Sequence, residues 1–370
     1  MVKLHATAAV FRGSSCRATC RDTLGPPRSR RTPYAWVHLR KTLGDRVFVD
    51  AYAVQISAEL CHPDNRPRPW QTVVQFIEAY EQLRLRPKTI DSKSRVENLA
   101  AVAQFYSSVI SPLIRELPEV LLQNISTSLL DSGRSLSRTE RVRFLRALYC
   151  FELWSEIASD PDSSEVEILA VFFGVFEPWE AEGVACIEHL INSNYKRLMG
   201  AVAWDLNEDN PRCREDGMTP VGTPPGSFDF GFNVFEEYWR WGFISRGLVF
   251  FRHITRMEDH EELVMTMQKM MKFCHAGLER VLSYPIQTAR RSRHPSDRDQ
   301  LELNRTRLPF TGDDEVKPLL AWVIDCRRQY SNLYGSAISK KLKPIGWVFW
   351  DCKRLAMSGA KEMVKAVHRR

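Results

Sequence analysis

Apolar side chains recur at intervals of three and four residues along most of the chain after Trp70. The longest series consists of Val96, Leu99, Ala103, Tyr106, Ile110, Leu113 and Leu117. Side chains at this spacing share one face of an α-helix. Pro112 interrupts the series, and because proline has no backbone N–H we expect the helix to kink or restart there. The sequence therefore predicts an all-α protein, an irregular multi-helix bundle of about nine to eleven helices.

Proline, glycine and charge divide the chain into segments. We expect residues 1–35, which are rich in arginine and carry several prolines, to form a disordered basic arm. Residues 36–64 are ambiguous, since they fit either a short strand or the start of a helix. Residues 65–360 are predicted to form a single all-α domain with a long loop at 205–230 and a second at 290–314.

The net charge of +7 comes entirely from the N-terminal part of the chain. Residues 1–70 carry 12 Lys and Arg against 5 Asp and Glu, whereas the rest of the chain carries 40 of each. A neutral body disfavours a broad basic surface for nucleic acid, which leaves the basic arm as the segment that would bind it. The arm is also rich in arginine and poor in acids, as mitochondrial transit peptides are. We expect an intracellular protein of the cytoplasm or nucleus, with the mitochondrion as the alternative.

Motifs typical of catalytic and cofactor sites are absent from the sequence. It has no P-loop, dinucleotide-binding or nucleophile-elbow motif, and HEELV at 260–264 lacks the second histidine of the zinc-protease motif. Residues 205–216 begin like a calcium loop but have Asn210 where that loop needs glycine. We therefore predict no cofactor and no metal.

Cysteine usage and hydropathy indicate the kind of environment the chain occupies. Nine cysteines without a CxxC pair are typical of reduced thiols in an intracellular protein. The longest apolar run, residues 168–176, is much shorter than the roughly 20 residues that cross a bilayer. The sequence therefore predicts no membrane partner.

The strongest candidate for a binding site is the point where a predicted helix gives way to the 205–230 loop. Its candidate residues are Trp204, Asp205, Asn207, Asp209 and Asn210. Long irregular loops are usually either functional or disordered. Within the same loop, two threonines each precede a proline, the minimal pattern for proline-directed phosphorylation; they are Thr219 and Thr223.

Two functions are compatible with these features. The first is a non-enzymatic helical protein-interaction module, in which the loop and a methionine stripe contact a protein partner. The stripe consists of Met257, Met265, Met267, Met270 and Met271. Three of them share the face of Leu263, which favours burial in the core as the other interpretation of the stripe. The alternative is a small-ligand-binding protein or an enzyme with an apolar pocket between helices near Trp204 and Asp205. The sequence assigns no catalytic residue.

Four segments resemble sequences of a large group of uncharacterised proteins from filamentous fungi. They are WDLNEDNP at 204–211, PGSFD at 225–229, DHEELV at 259–264 and GWVFWD at 346–351. The resemblance covers residues 70–360 and implies a helical fold and a filamentous-fungal setting. Some members of the group have F-box-like N-termini, a pattern that is not legible in this sequence. The resemblance supplies no catalytic residue.

Overall fold

The computed structural model describes residues 32–60, 70–87, 96–125, 135–157, 171–207, 210, 233–271, 309–325 and 341–367. Within these ranges the chain forms thirteen α-helices and no strand, which confirms the all-α prediction. The helices are α1 (Thr32–Leu43), α2 (Asp45–Leu60), α3 (Trp70–Leu85), α4 (Val96–Phe105), α5 (Ser111–Gln123), α6 (Arg138–Ile157), α7 (Pro178–Val202), α8 (Asn233–Ile244), α9 (Gly247–Ile254), α10 (His260–Met270), α11 (Leu320–Asp325), α12 (Cys352–Met357) and α13 (Ala360–Val367).

The described helices outnumber the nine to eleven expected, partly because an apolar stretch typical of one helix is broken in two. Residues 234–254 belong to α8 and α9, with a turn between them. Gly247, the first residue of α9, has a φ of 78°, in the left-handed region that glycine adopts without a steric penalty. The spacing of apolar residues is the same on both sides of the break, so periodicity alone does not reveal it.

Residues 36–60 of the segment that the sequence left undecided lie in α1, α2 and the turn between them, whereas residues 61–64 lie outside the described residues. The last four residues of the predicted basic arm are therefore the first turn of α1, and residues 1–31 lie outside the described residues. Of the predicted loops, only 205–207, 210 and 309–314 are described. Asp209, Thr219 and Thr223 lie outside the described residues.

Helix α6 is the centre of the core and packs most extensively against α2 and α7. Its aromatic residues Phe144, Phe151 and Trp154 are at most 2% exposed. The charged residues Arg146 and Glu152 of the same helix are buried as well. Buried charges are tolerated only when they have partners, so the core must supply partners for them.

Helices α4 and α5 are joined by a π-helical turn, Tyr106–Ile110. Pro112 is the second residue of α5, and the backbone is right-handed helical on both sides of the π-turn, at Phe105, Ile110 and Ser111. The helix does not restart at Pro112, and the irregularity that precedes this proline is a π-turn within continuous helical backbone. The guanidinium of Arg141 on α6 donates a hydrogen bond of 2.8 Å to the Tyr106 hydroxyl and joins the π-turn to the core helix.

The N-terminus of α6 has a complete capping box, as expected for the sequence SRTE at 137–140. The Glu140 N–H donates to Ser137 Oγ at 3.1 Å, and the Ser137 N–H donates to Glu140 Oε2 at 3.0 Å. Glu140 is 1% exposed and also accepts two hydrogen bonds from Arg354, from Nε at 2.8 Å and from Nη2 at 2.9 Å. The cap therefore also fastens the C-terminal segment to α6.

Asp351, immediately before α12, makes a second connection between the C-terminal segment and α6. Its carboxylate accepts hydrogen bonds from the hydroxyls of Ser137 and Thr139. Arg143 donates to it at 2.8 Å and to the Phe349 carbonyl at 3.1 Å. The aromatic residues of the 346–351 segment are thereby held in the core, where the Phe349 ring stacks on Phe144 with centroids 3.9 Å apart.

Candidate functional site

Trp204 lies in the turn that follows the end of α7 and is 61% exposed. Six other tryptophans are at most 8% exposed; they are Trp154, Trp179, Trp239, Trp322, Trp347 and Trp350. Trp241 is half-buried. Because indole is the largest apolar side chain, its exposure at this point is the most unusual feature of the described surface.

The backbone around Trp204 is fixed by hydrogen bonds. The Trp204 carbonyl accepts from the N–H of Asn207 at 3.1 Å and from Nδ2 of Asn210 at 3.0 Å. Leu206, which is 3% exposed, anchors the turn in the core, and its N–H donates to the carbonyl of Val202 at 3.1 Å. The turn thus presents the indole from a backbone that is already ordered.

Asp205 connects this turn to α10. Its Oδ2 lies 3.0 Å from Nε2 of His260, the first residue of that helix. Asp259 caps α10, because its Oδ1 accepts from the N–H of Glu262 at 2.7 Å. Two helix ends, the C-terminus of α7 and the N-terminus of α10, therefore meet beside Trp204.

The start of α10 contributes negative charge to the same region. Four exposed carboxylates lie within two residues of His260, and we call them the acidic rim: Glu258, Asp259, Glu261 and Glu262. Carboxylates in the first turn of a helix interact favourably with its dipole, so they do not disturb α10. The residue after Trp204 therefore contacts the start of a helix that has four exposed carboxylates.

The structure brings together four of the five binding residues predicted from the sequence. Trp204 is exposed, and Asp205 pairs with His260. The remaining two residues, Asn207 and Asn210, close the turn. Asn207 and Asn210 act through the Trp204 carbonyl, and Asn210 itself is 4% exposed. The fifth residue, Asp209, lies outside the described part of the chain.

A buried charge ring is the feature that the sequence did not reveal; we define it as Asp50, Arg84, Arg146 and Glu180. Asp50, which is fully buried, accepts from Arg146 Nε at 3.0 Å and from Arg84 Nη1 at 3.3 Å. Glu180 accepts from Arg84 Nη2 at 2.7 Å and lies 2.5 Å from Arg146 Nη1. The ring joins α2, α3, α6 and α7, and its two positive and two negative charges balance.

The ring sets the ionisation of the groups around it. Burial alone would raise the pKa of Glu180, but the charges of Arg146 and Arg84 lower that pKa to about 2. The Tyr80 hydroxyl donates to Asp50 at 2.6 Å, and burial followed by the charge of Asp50 raises the pKa of Tyr80 well above its usual value. Burial and Asp50 also raise the pKa of Cys150. The Tyr80 hydroxyl and the Cys150 thiol are therefore protonated at neutral pH, and a protonated thiol is a poor nucleophile.

A partly enclosed cavity of about 30 Å³ lies against this ring. Its polar lining consists of Arg84, Arg143, Arg146, Glu180, Glu315 and Lys317. A cavity needs about 10–15 Å³ of such space to hold one water molecule, so this cavity has room for bound water. Trp204 and Asp205 do not line it, and the indole of Trp204 faces solvent.

Comparison of this chain with protein-family models, with curated proteins and with solved structures finds no match. The resemblance to fungal proteins accordingly stays a prediction. Among the described residues, no helix is long and apolar enough to span a bilayer. In the same ranges, no three His, Cys, Asp or Glu side chains are grouped so that they could hold a metal ion.

Proposed function

We propose that this chain is a protein-binding module and that its partner docks on the turn at Trp204. The observation that carries the proposal is the 61% exposure of an indole on a backbone fixed by hydrogen bonds. Tryptophan is among the residues that most often dominate the energy of protein interfaces. Because the turn is already ordered, binding there would not require much further loss of backbone entropy.

The surroundings of Trp204 define the chemistry of the partner. An apolar pocket would accept the indole, and lysine or arginine side chains around that pocket would face the acidic rim. Charge complementarity of this kind raises association rates and excludes acidic competitors. We therefore propose a partner whose binding pocket is apolar with a basic border.

The alternative function, a small-ligand pocket near Trp204 and Asp205, fits the geometry less well. Pockets for small molecules enclose several hundred Å³ and bury most of the ligand. The indole of Trp204 is exposed instead of lining such a pocket, and the cavity at the charge ring has only about 30 Å³. An exposed side chain on a fixed turn is better suited to entering another protein's pocket.

Affinity capture with the full chain as bait tests this proposal. Wild type, Trp204→Ala and Leu85→Ala would be compared on extract of the source organism by quantitative mass spectrometry. Leu85 is the matched control, because it is 70% exposed and lies at the end of a different helix, α3. We expect a stoichiometric partner that wild type and Leu85→Ala retain and Trp204→Ala loses. Equal recovery of every partner by the three baits would contradict the proposal.

A further inference from the structure

The acidic rim carries four negative charges, and within the described ranges none of its carboxylates forms an ion pair. The nearest lysine or arginine along the sequence, Arg256, pairs with Glu116 on α5. One helical turn further along α10 the chain has Met265 and Thr266, so no base faces the rim from its own helix. Carboxylates this close in sequence repel one another, and the rim therefore favours a ligand that brings positive charge.

Trp204 and the acidic rim form one surface. Oδ2 of Asp205, the residue after Trp204, lies 3.0 Å from Nε2 of His260, which has two rim residues on each side. The closest bases on α7, Lys196 and Arg197, precede Trp204 by about two helical turns. An indole face attracts a guanidinium through a cation–π contact, and a carboxylate can bind the same group with two hydrogen bonds. The surface is therefore suited to a segment rich in arginine.

The chain itself contains a segment of this composition. Residues 1–31 precede α1 and lie outside the described residues, and we call them the N-terminal segment. The segment has seven Lys and Arg, six of them arginine, against the single acid Asp22, so its net charge is +6. Fully extended, 31 residues span about 100 Å, whereas a compact domain of this size is about 50 Å across. The segment is therefore long enough to reach Trp204.

We infer that the N-terminal segment binds across Trp204 and the acidic rim when no partner is bound. The inference rests on the proposed function, because it assigns regulation to the same site. A partner with a basic border would have to displace the arginines of the segment from the rim. A tethered segment acts at an effective concentration in the millimolar range, so even weak contacts are enough for it to compete.

Fluorine NMR of the full chain labelled with fluorotryptophan tests the inference without any partner. Trp204→Phe identifies the Trp204 resonance, and the change of its chemical shift between light and heavy water measures how much solvent reaches the indole. The segment variant has all six arginines of the N-terminal segment replaced by glutamine; they are Arg12, Arg17, Arg21, Arg28, Arg30 and Arg31. We expect a larger solvent isotope shift for Trp204 in this variant than in wild type, because the indole is uncovered.

Two further variants show whether the effect comes from charge at this surface. The control variant has six exposed bases elsewhere replaced by glutamine; they are Lys41, Arg86, Arg115, Arg138, Lys317 and Lys353. It removes the same charge as the segment variant and should leave the Trp204 resonance as in wild type. The rim variant combines Glu258→Gln, Glu261→Gln and Glu262→Gln and keeps the Asp259 cap. It should uncover Trp204, and adding the segment variant should uncover it no further.

The affinity for the captured partner gives a second measurement. A segment that covers the site in half of the molecules raises the apparent Kd of the partner twofold, so the segment variant should bind at least twofold more tightly than wild type. Because added salt weakens the hold of the segment as well as that of the partner, the Kd of the segment variant should rise more steeply with salt.

An isotope shift for Trp204 that is equal in wild type and the segment variant would overturn the inference and leave the docking proposal standing. A difference that grows with protein concentration would also overturn it, because the segment of a second copy would then cover the site. Equal capture of every partner by wild type and Trp204→Ala would instead overturn the docking proposal and the regulatory role, while the fluorine result would still decide whether the segment covers Trp204.

Discussion

Asp50 and Arg146 are joined by a hydrogen bond of 3.0 Å, although 96 positions separate them and both side chains are buried. The bond connects α2 to the central helix α6. Arg84 and Glu180 complete the charge ring, so each of its four charges has two neighbours of opposite charge. This arrangement explains how a core helix accommodates an arginine, and it makes the stability of the fold dependent on the ring.

Replacing Asp50 with asparagine should destabilise the protein strongly. The change leaves two buried guanidinium groups with one carboxylate, and breaking a buried ion pair in this way costs about 3–5 kcal/mol. The free energy of unfolding from urea titration measures the loss. Asp45→Asn is the control, since the Asp45 side chain is 40% exposed and its pair with Arg40 should contribute less than about 1 kcal/mol. Similar losses for the two variants would contradict the account of the ring.

The pKa of Glu180 predicts how stability depends on pH. Its folded pKa of about 2 lies below the ordinary value of 4.5, so the unfolded chain binds the proton more readily. The Glu180 carboxylate therefore stabilises the folded state fully above about pH 5. This contribution to the free energy of unfolding, up to about 3 kcal/mol, is lost as the pH falls toward 2.

Urea unfolding of wild type and Glu180→Gln at pH 5.5 and pH 2.5 measures this contribution. Wild type should lose more stability than the variant between those two pH values, because glutamine does not titrate. Parallel losses in the two proteins would show that the charge ring is not the source of the acid sensitivity.

Two glycines with similar backbone angles should respond differently to alanine. Gly247 and Gly359 have φ of 78° and 75°, so both substitutions cost about 1–2 kcal/mol of backbone strain. A Cβ at Gly247 would also lie 2.5 Å from Oε2 of Glu152, which accepts the Leu248 N–H at 2.6 Å, whereas Gly359 has open space. Gly247→Ala should therefore lower the free energy of unfolding by about 3 kcal/mol or more, as measured by thermal or urea unfolding. Equal losses at the two positions would contradict the role given to Glu152.

The sequence predicts the helices and the caps well because those depend on local spacing. The capping box at Ser137 and Glu140 follows from a few neighbouring residues, and so does the helix irregularity next to Pro112. The turn at Trp204 is also local, since Asn210 reaches a carbonyl only six residues earlier. Local geometry thus explains why the four described candidate residues lie together in one turn.

The charge ring could not be predicted in this way. Its four members are on four helices, and each has a charge that usually indicates a solvent-facing position. One signal was available: α6 has large apolar residues on more than one face, so Arg146 had no polar face on which to lie. Even so, its partners Asp50 and Glu180 become identifiable only once α2 and α7 are packed against α6.

The most direct test of the central claim is the affinity of the captured partner for wild type, Trp204→Ala and Leu85→Ala, measured by titration calorimetry. The account predicts that Trp204→Ala raises Kd by about 30-fold, which corresponds to the roughly 2 kcal/mol of an interface hot spot. Leu85→Ala should leave Kd unchanged, and added salt should weaken wild-type binding because the acidic rim contributes. A Kd for Trp204→Ala equal to that of wild type would contradict the assignment of this turn as the docking site.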